Sequence, residues 1–144
     1  MKAILCALDF SEASENVIKM ALEVAAQKKT NLVVLYAYRL LQTESREIAD
    51  FRNSMEEQAK ADFDVLVKKL KINGDVPYEF RAEIGFLTDR IGVFFKKNPV
   101  DTIVMGQNLA FPQNEKVGVS FENILDTLKI PVLVVPSGYN ANEV

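Results

Sequence analysis

The residues of this chain that could do chemistry gather at two places. Asp9 closes the apolar run AILCAL, and Gly106 and Gly118 bracket eleven mostly polar residues within VMGQNLAFPQNEKVGVSFEN. An apolar strand that climbs onto a glycine, crosses a loop and enters a helix near Ser120 has the outline of a phosphate cradle. Glycine lets the backbone come close to a ligand, and the first free amides of a helix point at an anion. Between the two glycines, however, stand Leu109, Phe111 and Pro112 where such a loop normally carries further glycines, arginines or hydroxyls. Lys116, beside Glu115, is the loop's one cation.

Absences narrow the chemistry further. The chain has no histidine, which excludes Ser-His and Cys-His nucleophiles, His-ligated zinc and imidazole acid–base catalysis. Its single cysteine, Cys6, sits inside AILCAL and reads as a small buried hydrophobe; it excludes an internal disulfide. Glu12 with Glu15, and Glu56 with Glu57, read as exposed helix faces, so no catalytic and no metal-binding residues are expected. A net charge of −3 argues against a nucleic-acid partner, because such affinity needs clustered Lys and Arg. Lys68, Lys69 and Lys71 read as a solvated face. No stretch approaches the roughly 20 apolar residues of a membrane span, and AILCAL is too short for a signal-peptide core. The expectation is a cytoplasmic protein with no membrane partner.

The elements that must position Asp9 and the loop follow from periodicity. KAILCALD reads as a buried strand, followed by a helix that Ser11 or Ser14 can cap, with Val17, Met20, Ala21 and Val24 at helical spacing. NLVVLYAY is a second strand. Ile48, Phe51, Met55, Ala59, Phe63, Leu66 and Leu70 mark one long amphipathic helix ending near Asn73-Gly74. VPYEFRAEI alternates polar and apolar residues as an edge strand does. LTDRIGVFFKKN is a helix with Leu87, Ile91 and Phe94 or Phe95 inward, and the phenylalanines at 94, 95 and 121 all read as core. VDTIVMG is strand four, FENILDTLK a last helix with Phe121, Ile124, Leu125 and Leu128 inward, and PVLVVP strand five. At 144 residues, 49% of them hydrophobic and 26% charged, the chain fits one domain over 1–144, with a core of 1–136 and a polar, frayed tail of 137–144.

Strand and helix alternate throughout, and crossovers of this length require parallel strands covered on both faces. The class is α/β: a doubly wound, five-stranded parallel sheet with helices on both faces. Ligands of such sheets sit outside the carboxyl ends of the strands where strand order reverses.

The segments CALDFSEASENVIKMALEVA, NLVVLYAY, VDTIVMG and GVSFENILDTLKIPVLVVP together resemble the universal stress protein family, single-domain and UspA-like, over essentially the whole chain. The resemblance implies a Rossmann-like sheet of strand order 3-2-1-4-5, of the adenine nucleotide alpha hydrolase-like kind. Members that bind ATP carry a loop Gly-x2-Gly-x9-Gly-Ser/Thr. Gly106 matches its first glycine, Met105 the residue before it and Gly118 its third glycine. Leu109 stands where the second glycine belongs, a position expected to strain a γ-branched residue, and Val119 replaces the hydroxyl residue, with Ser120 one place on. Asp9 matches the acid at the end of strand one, and Ala37 the small residue that flanks the base.

These matches and departures imply a non-enzymatic stress-response homodimer with no tightly bound cofactor, ATP or AMP being held weakly at most. The alternative is an adenine-nucleotide switch or slow ATPase. A phosphoacceptor receiver domain needs an aspartate ending strand three and a lysine ending strand five, which RAEIG and PVLVVPS do not supply. The apolar run Val132, Leu133, Val134 and Val135, bounded by Pro131 and Pro136, is the expected dimer interface. Asp9 also has a plainer use as a turn residue that caps the first helix.

Overall fold

The computed structural model describes residues 2–38, 45–70, 75–111, 126 and 128–139, the side chains of 45–49 excepted. Nine elements alternate along it: β1 (Ala3–Leu8), α1 (Ser14–Lys28), β2 (Leu32–Tyr38), α2 (Ser45–Leu70), β3 (Tyr78–Ile84), α3 (Leu87–Lys97), β4 (Val100–Gly106), the single turn α4 (Gln107–Ala110) and β5 (Val132–Val135). The five strands form one sheet in the order β3-β2-β1-β4-β5, and every adjacent pair is parallel. This is the architecture the sequence leads one to expect, with β1 and β4 side by side where the strand order reverses.

The pleat sorts the core into two layers. Leu5, Ala7, Val33, Leu35, Ile103 and Met105 point to one face, where Ile91 and Phe94 of α3 cover them. Ile4, Cys6, Leu8, Leu32, Val34 and Val104 point to the other, under Val17, Ile18, Ala21 and Ala25 of α1 and Phe63 of α2. All six residues of β1 are buried, which is why AILCAL is apolar without alternation. β3 alternates because it is the edge. Tyr78 and Phe80 meet Phe63 of α2, whereas Glu79, Arg81 and Glu83 lie on the face that α3 covers only in part. There Arg81 pairs with Glu79 and lies 5.1 Å from the centre of the Phe94 ring.

Three local expectations are corrected. Of the two phenylalanines in α3, Phe94 is core and Phe95 is an exposed residue, because a helix turns about 100° per residue and cannot aim neighbours at one layer. α1 begins at Ser14 without a side-chain cap from either serine. The stretch after β5 is not frayed throughout: Tyr139 N–H closes a turn onto the Pro136 carbonyl (3.0 Å), and the Tyr139 side chain packs against the α1/α2 layer. Of the last helix, Asp126 and Leu128 are helical and Leu128 packs against the α3 layer; Phe121, Ile124 and Leu125 lie outside the described residues, as does the Asn73-Gly74 stop.

The two adjacent phenylalanines give a direct test of the layer assignment. Phe94→Ala removes a buried ring and is expected to cost about 3–5 kcal/mol in urea unfolding. Phe95→Ala, at an exposed site, is expected to stay within about 0.5 kcal/mol of wild type. Equal losses would contradict the packing of α3.

Candidate functional site

At the carboxyl end of the sheet, the turn from β1 to α1 faces the turn from β4 into α4. Asp9 is held there by local bonds. Its Oδ1 accepts from the Ser11 N–H (3.0 Å) and from the Ser14 hydroxyl (3.3 Å), so Asp9 organises the entry to α1, as a short acid two residues before an amide commonly does. The following residue, Phe10, takes the left-handed conformation at φ 57°. That region is costly for a side chain other than glycine, and here it is imposed by packing. The Phe10 ring stands edge-on to Tyr36 at 4.9 Å between centroids and reaches Phe80 at 6.2 Å.

Across the crevice, Gly106 ends β4 opposite Val135 of β5. Its backbone is extended (φ −77°, ψ 160°), so positive φ is not why a glycine stands here. A Cβ at this position would come within 3.3 Å of the Val17 Cγ2 of α1. A side chain here would need Val17 to give by a few tenths of an ångström, because the helix lies directly on the strand end.

Asp9, Ser11, Ser14, Gly106, Asn108 and Leu109 share the walls of this crevice, whose volume is about 10 Å³. That is room for one water and not for a nucleotide. Among the described residues that line it, Asp9 is charged and none is a lysine or arginine. Leu109 belongs to the helical turn α4 and packs against the α3 layer. The strain expected at this position is absent: among the described residues other than glycine, only Phe10, Lys29 and Lys129 have positive φ.

Asp9 and Gly106 thus meet at the switch point. Met105 does not share that wall; it is fully buried in the α3 layer, since neighbouring strand residues point to opposite faces. Ala37 lies in β2 opposite Glu83 and is not part of the crevice lining either. Gly118 and Ser120 fall outside the described residues, as do Pro112, Lys116 and Val119. The negative field of Asp9 reaches inward. Burial first, and the Asp9 charge second, push the Cys6 thiol up to about 12, so this thiol is inert at neutral pH. Burial, then Asp62 and Asp9, raise the Tyr36 hydroxyl. On the α2 side, Tyr38 donates to Glu56 (3.0 Å), which also accepts from Arg52; burial and this bond raise the Tyr38 hydroxyl to about 12.

Sequence reasoning did not single out Phe10. An aromatic residue directly after the strand-end acid was its only signal. Among the described residues no cluster of His, Cys, Asp and Glu has the arrangement of a metal site, and no helix is long and apolar enough to cross a membrane.

With strand order, switch-point acid and strand-end glycine in place, comparison with known proteins is decisive. Residues 1–136 match the universal stress protein family. The chain belongs to that family. Solved structures of similar fold include a universal stress protein family member from Burkholderia pseudomallei, at 22% identity and a TM-score of 0.65, over 94% of this chain and 96% of that one. UspA from Lactobacillus plantarum aligns at 19% identity and a TM-score of 0.70, over 93% and 97% of the two chains. A universal stress protein from Archaeoglobus fulgidus, solved in complex with dAMP, aligns at 19% identity and a TM-score of 0.63, over 93% and 97%. No curated protein sequence matches. Within this universal stress protein fold, the glycine that opens the loop serves the packing of α1 whatever else it does.

That requirement can be tested at Gly106. Gly106→Ala places a methyl against Val17 in a filled layer and is expected to cost about 1–3 kcal/mol in chemical unfolding. In a Val17→Ala background, where the space is free, the same change is expected to cost less than about 0.5 kcal/mol, since alanine also restricts the unfolded chain. The same cost in both backgrounds would show that the contact with α1 is not what selects glycine.

Proposed function

We propose that this chain is a cytoplasmic stress-response domain that performs no catalysis, pairs with a second copy of itself through β5, and holds adenine nucleotide weakly in a degenerate site. The observation that carries the nucleotide part is the crevice itself. It holds about 10 Å³ between Asp9 and Leu109, and no cation is present among the described residues that line it. A ligand must displace the Leu109 side chain and face an uncompensated carboxylate, and a triphosphate suffers more from that field than a monophosphate does. Nucleotide binding as such is supported by the dAMP complex of the Archaeoglobus relative. The same complex favours the second reading, a nucleotide-operated switch or slow ATPase, in which the crevice opens to form a competent site.

Calorimetry separates the two. ATP is expected to bind with a dissociation constant above about 100 μM, that is, about −5.5 kcal/mol or weaker. AMP is expected to bind no more weakly than ATP. Leu109→Gly, which empties the crevice wall, is expected to improve AMP binding several-fold. Low-micromolar ATP affinity in the wild type would favour the switch, and an unaltered affinity in the variant would clear Leu109 of blocking the site.

The pairing rests on β5. Along Val132–Val135 only Val135 is buried, and Leu133 is 36% exposed, on a strand at the end of the sheet order. A two-fold axis beside this strand pairs it with itself and closes the assembly. Light scattering is expected to report twice the chain mass. Leu133→Lys should halve it while circular dichroism stays unchanged, and a wild type that remains monomeric at high micromolar concentration ends the proposal.

A further inference from the structure

The turn after β5 touches both walls of the crevice. Ser137 donates its N–H to the Gln107 Oε1 (3.1 Å) and its hydroxyl to the Asn108 Oδ1 (3.4 Å), so it holds α4. Two residues on, the Tyr139 carbonyl accepts from the Asn16 Nδ2 of α1 (2.8 Å), and the Tyr139 side chain packs against the α1/α2 layer. Asn108 lines the crevice on one side; Asn16 lies between Ser14 and Val17, which line it on the other. The Pro136–Tyr139 turn, closed by its own backbone bond, therefore ties the two walls together across the ends of β4 and β5.

We propose that Pro136–Tyr139 is a strap that keeps the crevice at the size of one water, and that its release lets α4 move away from the β1–α1 turn so that a nucleotide monophosphate can enter. The second half rests on the nucleotide reading given above. The strap has the properties such a device needs. Both Ser137 bonds are solvent-exposed, where hydrogen bonds compete with water and are readily exchanged. α4 is one turn long, and Ala110 and Leu109 seat it against the α3 layer, so its shift costs those contacts and leaves the strands paired. The anchor at Tyr139 is partly buried, which returns the strap to the same seat.

The test uses a thiol placed in the closed wall. Ser14 is 2% exposed and Cys6 not at all, so Ser14→Cys reports opening of the crevice and Cys6 reports unfolding. With N-ethylmaleimide and peptide mass spectrometry, the introduced thiol is expected to react at least ten-fold faster when Gln107→Ala, Ser137→Gly and Asn16→Ala together release the strap, and likewise with Tyr139→Ala, while Cys6 stays unlabelled. With Ser14 intact, the released variants are expected to bind AMP at least five-fold more tightly by calorimetry. Unchanged labelling in both variants overturns the strap, as does labelling of Cys6 in step with the reporter, or equal AMP affinity in wild type and released forms. If AMP binds none of them, the nucleotide reading falls, and the thiol rates alone decide whether the strap holds the walls.

Discussion

The geometry of the carboxyl end of this sheet depends on how close α1 comes to the end of β4. With Val17 lying 3.3 Å from where a Cβ of residue 106 would sit, that strand end has little room for a side chain. The contact fixes the distance between the two turns on either side of it. One carries Asp9, Ser11 and Ser14; the other carries Asn108 and Leu109. A side chain at 106 would need the Val17 methyl to give by a few tenths of an ångström within a layer that Ile18, Ala21 and Ala25 also fill. Close packing of this kind transmits displacements because protein interiors have few voids to absorb them. The spacing of the two turns is thus set in part by core packing.

On the opposite wall, Asp9 and Phe10 divide the work of turning the chain from β1 into α1. Asp9 supplies the acceptor for the Ser11 amide and the Ser14 hydroxyl. Phe10 supplies apolar burial against Tyr36 and Phe80, which offsets the cost of its left-handed backbone. The turn is consequently rigid and negatively charged before any ligand arrives.

What was legible in the sequence divides along physical lines. Burial on both faces of β1 and β2 and the edge position of β3 could be read directly, because unbroken apolar runs and alternation are consequences of which faces are covered. The switch-point meeting of Asp9 and Gly106 followed from the topology. The distinction between Phe94 and Phe95 was not legible, since either satisfies the periodicity and only the rotation of α3 on the sheet decides. Nor was the state of Leu109: the loop pattern calls for a glycine, but this chain forms a helical turn there, in which leucine has ordinary dihedrals and a packing partner. The seat of Tyr139 was hidden for another reason. Its contacts to Asn16 span more than a hundred residues of sequence, and a polar segment carries no periodicity from which to infer them. Gly106 stood out in the sequence for the backbone approach a ligand needs; the approach of α1 to the same backbone is visible only in the packing.

The two edges of the sheet differ in a way that bears on assembly. β3 presents Glu79, Arg81 and Glu83 along one face, and its other face is shielded by the rings of Phe63 and Phe80. A second strand brought alongside β3 would have to desolvate those charges, a device by which natural edge strands avoid pairing. β5 carries no charge between Pro131 and Pro136, and its four residues are apolar. The prolines lack N–H donors and confine any added strand to the segment between them. The same doubly wound sheet thus has one edge that resists association and one that permits it over a single short register, and the difference lies in side chains that the parallel core does not otherwise require.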